Sequence, residues 1–388
     1  MKAGYIDPFE PAQIRRLVER FGSPLLIIDC QRVRAQYRRL QRALPGVDLH
    51  YALKPLPHAA VVRTIAAMGG WLDLATTGEV QLASRLGIDP ARCIHSHPIK
   101  RGKDIRNALA AGVTLMVADN PDEVRKFRAF RGEAELLLRV SFRSPGAVSD
   151  LSRKFGCDPE HALELARLAA RLGIRVRGFS FHVGSQAPNA LKHVEAVEAC
   201  ARLLAAARRE KLGRYDILDI GGGFPIDYAK RVPDIGRFCA PIRAALTALP
   251  KSVRVIAEPG RYIAGPAAIC VATVMGRAER AGLWWYYLDD GVYGSYSGQL
   301  YDHANYPIES LRQGGELRAS VLAGPTCDSI DVIAENILLP RLKAGDLIVG
   351  RNMGAYTWAT ASEFNFFPKP TVVSVNEVPG DAGKVEGD

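Results

Sequence analysis

The sequence predicts an α/β chain, a (β/α)8 TIM-type barrel followed by a mainly antiparallel β domain. Three observations point there. Strand patterns alternate with helical periodicity in eight units between residues 31 and 265. Strands that alternate with helices form parallel sheets, and eight such units in roughly 250 residues is the size of a closed barrel. After Pro266 the alternation gives way to short β-branched and aromatic runs. Finally, Lys54, Asp73, His182, Gly221–Gly223 and Glu258 all fall where predicted strands end, which is where barrels carry their sites. A doubly wound open sheet is the alternative, because periodicity is blind to closure.

The elements follow in order. Residues 8–22 have the apolar spacing of an amphipathic helix, stopped by Gly22. Pro24-Leu-Leu-Ile-Ile-Asp29 reads as a buried strand, and residues 31–44 as a helix. The barrel strands are expected at 49–54, 70–75, 92–97, 113–118, 135–142, 176–183, 215–221 and 253–258, with helical patterns such as 58–68 and 159–172 in the gaps. The second domain shows strand runs at 269–275, 284–288, 320–323, 346–350 and 371–375. The expected division is a barrel at 31–265, a β domain made of 1–30 and 266–380, and a Gly/Asp/Lys-rich tail at 381–388 that reads as disordered.

Composition excludes several classes. With 48% hydrophobic and 24% charged residues the chain is an ordinary globular one. It has no apolar run long enough to span a membrane, and Met1-Lys-Ala-Gly-Tyr-Ile lacks the apolar core of a signal peptide, so a cytoplasmic protein is expected. The seven cysteines are scattered with no Cys-x-x-Cys pair, which argues against a disulfide framework or a zinc site. The net charge of +10 comes from arginines spread over helices rather than from a basic cluster interleaved with aromatics. A solvated arginine-rich surface is expected, not a nucleic-acid interface.

The residues that could carry chemistry sit at loops and strand ends. Gly221-Gly222-Gly223 follows the apolar run 215–220, and its amides could form a nest for a phosphate; a plain tight turn is the competing reading. Lys54 closes a strand before Pro55-Leu-Pro57 and could form a Schiff base if burial lowers its pKa; a surface lysine is the alternative. His182 could be a satisfied core group or a ring that stacks on a planar cofactor. Glu258, in Glu258-Pro-Gly-Arg261, needs a partner if buried, either an arginine or a protonated pyridine nitrogen. Cys327-Asp328 could pair a proton donor with a cation-binding carboxylate. Tyr301-Asp302-His303 adds a second acid in an aromatic setting, near Tyr293 and Tyr296.

Taken together the motifs resemble the fold-type III (alanine-racemase-like) pyridoxal-phosphate decarboxylases, and most closely their ornithine/lysine decarboxylase branch. They are Tyr51-Ala-Leu-Lys, Phe181-His-Val-Gly-Ser-Gln, Asp219-Ile-Gly-Gly-Gly-Phe-Pro, Ala257-Glu-Pro-Gly-Arg, Leu300-Tyr-Asp-His, Gly324-Pro-Thr-Cys-Asp and Gly354-Ala-Tyr-Thr, in that order from about Pro24 to about Pro368. The resemblance implies pyridoxal 5'-phosphate as cofactor and Lys54 as the Schiff-base lysine. It implies that Glu258 pairs with the pyridine nitrogen and that His182 stacks on the ring. Ser185, Gly221, Gly222, Gly223, Arg261 and Tyr356 would hold the phosphate, with Gly260 also at the cofactor and Asp73 and Arg139 supporting it. Cys327 would return a proton to the substrate, and Tyr301, Asp302 and Asp328 would bind it. The implied reaction is decarboxylation of ornithine or lysine to putrescine or cadaverine, feeding polyamine synthesis, in a homodimer with shared sites. Where the family pattern continues Lys-Ala/Cys-Asn-Pro, this chain has Lys54-Pro55-Leu56-Pro57. A diaminopimelate-type enzyme, a siderophore-pathway decarboxylase acting on an amine conjugate and a non-catalytic cofactor-binding homologue are the other readings.

Overall fold

The structure is a computed structural model that describes Tyr5 and residues 7–142, 154–228 and 230–378. The predicted disordered tail at 381–388 lies outside the described residues. The chain divides into two compact units, residues 37–225 with 232–262, and residues 1–36 with 226–231 and 263–388. Among the described residues no helix is long and apolar enough to cross a membrane.

The first strand, β1 (Leu25–Asp29), belongs to the second of these units. In the other unit β2 (Val47–Ala52), β3 (Trp71–Leu74), β4 (Cys93–His95), β5 (Leu115–Ala118), β6 (Glu135–Val140), β7 (Arg175–Phe181), β8 (Ile217–Asp219) and β9 (Arg254–Ala257) form a closed barrel. All its pairs are parallel, with β9 returning to β2, so the open-sheet alternative is excluded. Each predicted barrel strand is present; β2 keeps the length of its apolar run but starts two residues earlier, and the other seven are one to four residues shorter than theirs. The runs overshoot because apolar residues continue into buried turns.

Residues in register across parallel strands share a side. Ile94, Val117, Leu137, Ile217 and Ile256 form one buried apolar cluster, and the register joins them to Asp73, Gly178 and Asp219 on that face. This is the barrel interior. Toward the strand N-termini it is closed by ion pairs, Arg254 to Asp48 at 2.6 Å and Arg177 to Asp216 and Glu135 at 2.7 Å. His50 stacks on Trp71 at 5.2 Å beside them. Toward the C-termini, period-two alternation puts the next interior positions at Ser96, Asp119, Arg139, Asp219 and Glu258. The polar end of the barrel is thus built on an apolar layer.

The other unit centres on a sheet ordered β12 (Ile308–Ser310), β15 (Leu347–Gly350), β10 (Ala268–Arg280), β11 (Leu283–Leu288), β13 (Arg318–Ala323) and β14 (Val332–Leu339). β1 pairs antiparallel with β10 and parallel with β16 (Thr371–Val375), and β11 pairs parallel with β13; the rest is antiparallel. The short β12 and the half-exposed β14 lack a sequence signal, β12 because it is three residues long and β14 because Glu335 and Asn336 interrupt its apolar run. The helix α1 (Pro11–Phe21) lays Ile14 on a core of Leu25, Ile27, Ile269, Val271 and Val349.

Candidate active site

Backbone hydrogen bonds fix the C-terminal rim of the barrel. Leu53 N donates to Asp73 O (3.2 Å), Ser96 N to Leu74 O (2.9 Å), and Glu258 N to Gly221 O (2.8 Å). Lys54 emerges just past β2. It is exposed rather than buried, and its charge acts on Asp73, Glu258 and His182. The segment after it is held from below: Leu56 is fully buried and its carbonyl accepts a 3.1 Å bond from Tyr51 OH. With Leu56 at this position the loop is fixed by burial of a side chain and by a backbone acceptor.

Three carboxyls crowd the mouth. Asp73 and Asp219 are buried at 2% and 0% exposure. Each is pushed up to about 7, by desolvation first. The charge of Glu258 adds to this at Asp73, and that of Asp73 adds to it at Asp219, while Arg139 pulls both back. Glu258 is held well above the usual carboxylate range by desolvation, then by the charge of Asp219; Lys54 and Arg139 oppose the rise. Three acids thus face two cations. Asp73 Oδ1 has no hydrogen-bond partner. A site so poised favours one more positive charge, and the protonated nitrogen of a pyridine ring supplies one.

The glycines shape the neighbouring wall. Gly221 and Gly223 have φ of +64° and +94°, in the region glycine adopts freely. At Gly222 the limit is space, since a Cβ there would lie 2.8 Å from Glu258 O and 3.0 Å from His182 Nε2. Gly260 is similarly pinned by Pro55 Cγ at 2.8 Å. His182 Nδ1 accepts from Gly184 N at 3.0 Å. Burial, then Lys54 and Arg139, hold its pKa well below the ordinary value, so it is a neutral ring. Buried Arg261 donates from Nε to Ser185 Oγ at 3.2 Å. A cationic guanidinium, a hydroxyl and a glycine turn on one rim suit a phosphate. The donor set therefore fits pyridoxal phosphate at both its ring and its phosphate.

Asp219 is the site residue that sequence reasoning passed over. The signal for it is an acid inside an apolar strand, which must be paired or protonated when buried. Its Oδ1 accepts from Gly221 N at 2.9 Å, joining the carboxyl pair to the glycine turn. Glu79, also pushed up to about 7 by burial, accepts from Ala75 N just past β3 and was likewise not singled out.

The remaining predicted residues lie in the other unit. Tyr293 OH donates to Asp328 Oδ2 at 2.5 Å, and this bond holds Asp328 below its ordinary pKa and pushes Tyr293 up to about 12. Cys327 is exposed, and its amide donates to Asn365 Oδ1 at 3.1 Å. Behind this loop, buried Asp331 accepts from Val292 N at 2.8 Å and from Thr326 N at 3.0 Å and Thr326 Oγ1 at 2.7 Å. Asp331 thereby fastens the Tyr293 loop to the Cys327 loop, a role invisible in sequence. Tyr301 is 69% exposed and Asp302 half-buried at the end of a helical turn. Tyr296, grouped with them by proximity, is instead fully buried. Tyr356 has φ +57° and its carbonyl accepts from Thr360 Oγ1 at 3.0 Å.

A model of the family "Pyridoxal-dependent decarboxylase, pyridoxal binding domain" matches residues 30–265. The chain is 34% identical over 363 residues to the lysine/ornithine decarboxylase of Selenomonas ruminantium, covering 93% of this chain and 92% of that protein. Two crystal structures of the lysine/ornithine decarboxylase of Vibrio vulnificus, one complexed with putrescine and one with cadaverine, superpose with a TM-score of 0.92 at 53% identity. The putrescine complex covers 96% of this chain and 100% of its own.

Proposed function

The chain belongs to the pyridoxal-dependent decarboxylases, and on that premise we propose how its residues remove the carboxylate of lysine or ornithine and release the diamine. It is a pyridoxal-phosphate-dependent carboxy-lyase of the lysine/ornithine type. When bound, the cofactor supplies an electron sink for the pair left on the α-carbon as CO2 departs.

The rest falls to the protein. Lys54 would hold the cofactor through its ε-amine at the barrel mouth. Glu258, backed by Asp219, would keep a proton at the ring nitrogen, since three crowded acids favour a cation there. Neutral His182 offers a flat uncharged face, and Asp73 and Arg139 balance charge around it. Arg261, Ser185 and the 221–223 turn bind the phosphate, with Tyr356 assigned to the same task. Cys327 delivers a proton to the α-carbon after CO2 leaves. Asp328, fixed by Tyr293, receives the distal ammonium, assisted by Asp302 and Tyr301. The single observation that carries this reading is the crowding of Asp73, Asp219 and Glu258 with Lys54 and Arg139 above the apolar layer, beside a glycine turn that a Cβ would block.

We place Cys327 and Asp328 at the active site of a second copy, in a homodimer with shared sites. The free cysteines fit a reducing cytoplasm. The test is CO2 and diamine release from a panel of lysine, ornithine, arginine and diaminopimelate. Turnover confined to lysine and ornithine supports the reading, and efficient diaminopimelate turnover overturns it.

A further inference from the structure

One residue beside the Cys327 loop is placed against its own conformational preference. Residues 364–366 form a tight turn, closed by Phe366 N to Glu363 O at 2.9 Å and Phe367 N to Phe364 O at 3.3 Å. Asn365 and Phe366 both have left-handed backbones, with φ of 55° and 60°. Asparagine enters that region readily, but a bulky aromatic does so at a cost that glycine would avoid. The Phe366 ring is 99% exposed, so it recovers nothing by burial in its own chain.

The turn is tied to the Cys327–Asp328 pair at two points. Asn365 Oδ1 accepts the Cys327 amide. Phe364 stacks on Tyr293, centroids 4.4 Å apart and 27° between planes, and Tyr293 OH holds Asp328. The exposed Phe366 ring is thus carried on the turn that these two ties fasten to the Cys327–Asp328 loop; a ring and a carboxylate on joined loops can together receive an organic ammonium, the carboxylate taking the charge and the ring the cation and its methylenes.

We propose that Phe366 is a substrate-recognition residue, its ring receiving the distal ammonium and adjoining methylenes of the basic amino acid beside Asp328. The inference rests on the assignment of Asp328 to the substrate end. It gives a function to an aromatic at a position where glycine would cost the backbone less.

The test uses the holoenzyme with lysine and ornithine as substrates. Phe366→Gly relieves the left-handed strain, so Tm should hold or rise and sedimentation should show unchanged assembly. KM for both substrates should rise about 2- to 30-fold, the range of a cation–π contact, with kcat nearly constant. Phe366→Tyr, which keeps the ring, should restore a KM near that of the wild type. An unchanged KM in Phe366→Gly overturns the proposal. A raised KM accompanied by lower Tm or lost assembly also overturns it, because the residue would then be structural. Asp328→Ala is measured in parallel. If it raises KM while Phe366→Gly does not, only this inference fails; if neither does, the assignment of the substrate end fails with it.

Discussion

Asp219→Asn gives the sharpest test of the acid cluster, in the cofactor-free enzyme. Asparagine is isosteric, and its carbonyl can still accept from Gly221 N, where the wild-type bond is 2.9 Å. What the substitution removes is a proton equilibrium. In the fold Asp219 is pushed up from 3.8 to about 7, chiefly by desolvation. The folded chain therefore holds this proton more tightly than the unfolded chain does. The stabilising contribution is complete below about pH 4 and is lost as pH rises through about 7. About three pKa units correspond to ~4 kcal/mol. Asp73 and Glu258 share the same field, so ~2–4 kcal/mol is the expected difference. Urea unfolding of the apoenzyme across pH 4–8 reads it directly. Wild type and variant should coincide near pH 4 and diverge upward, with the variant more stable at pH 8. Curves that run parallel across this range would refute the reasoning, because Asp219 would then not be the group that titrates.

The other expectations are simpler. Borohydride treatment of the holoenzyme should fix a pyridoxyl group on Lys54, and an adduct mapped by mass spectrometry to any other lysine would contradict the assignment. Gly222→Ala should fold but bind the cofactor at least about tenfold more weakly, since its Cβ would crowd Glu258 O and His182 Nε2; spectrophotometric titration with unchanged affinity counts against the cradle. Asp328→Ala should lower kcat/KM for lysine and ornithine roughly 10- to 100-fold with cofactor affinity preserved, and indifference of both substrates refutes its role. Mixing inactive Lys54→Ala and Cys327→Ala proteins should restore activity through mixed dimers, whereas mixtures that stay inactive after demonstrated subunit exchange would place the whole site in one chain.

Much of the fold can be read from local pattern because its signals are local. The eight apolar runs that become β2 to β9 are separated by helical periodicity, and burial on both faces makes such strands near-continuous in hydrophobicity. Strand β14 escaped because Glu335 and Asn336 break its run on the solvent side, and β12 because three residues carry no period. The site was legible where a residue type is forced by a local constraint. The glycines at 221–223 are such a case, two needing positive φ and one leaving no room for a Cβ.

By itself the sequence determined the alternation that makes a parallel barrel, the apolar layer inside it, and the strand-end positions of Lys54, Asp73, His182 and Glu258. It did so because side-chain direction follows the two-residue period of a strand. Only the tertiary structure decided the electrostatics. Asp73, Asp219 and Glu258 come from strands far apart in the chain, and closure of the barrel brings them into one desolvated field, where each raises another's pKa. The same holds for Asp331, which joins loops 290–294 and 324–328, and for Tyr293, which fixes Asp328 from 35 residues away. Burial and proximity between distant segments set these energies, and neither quantity exists until the chain has folded.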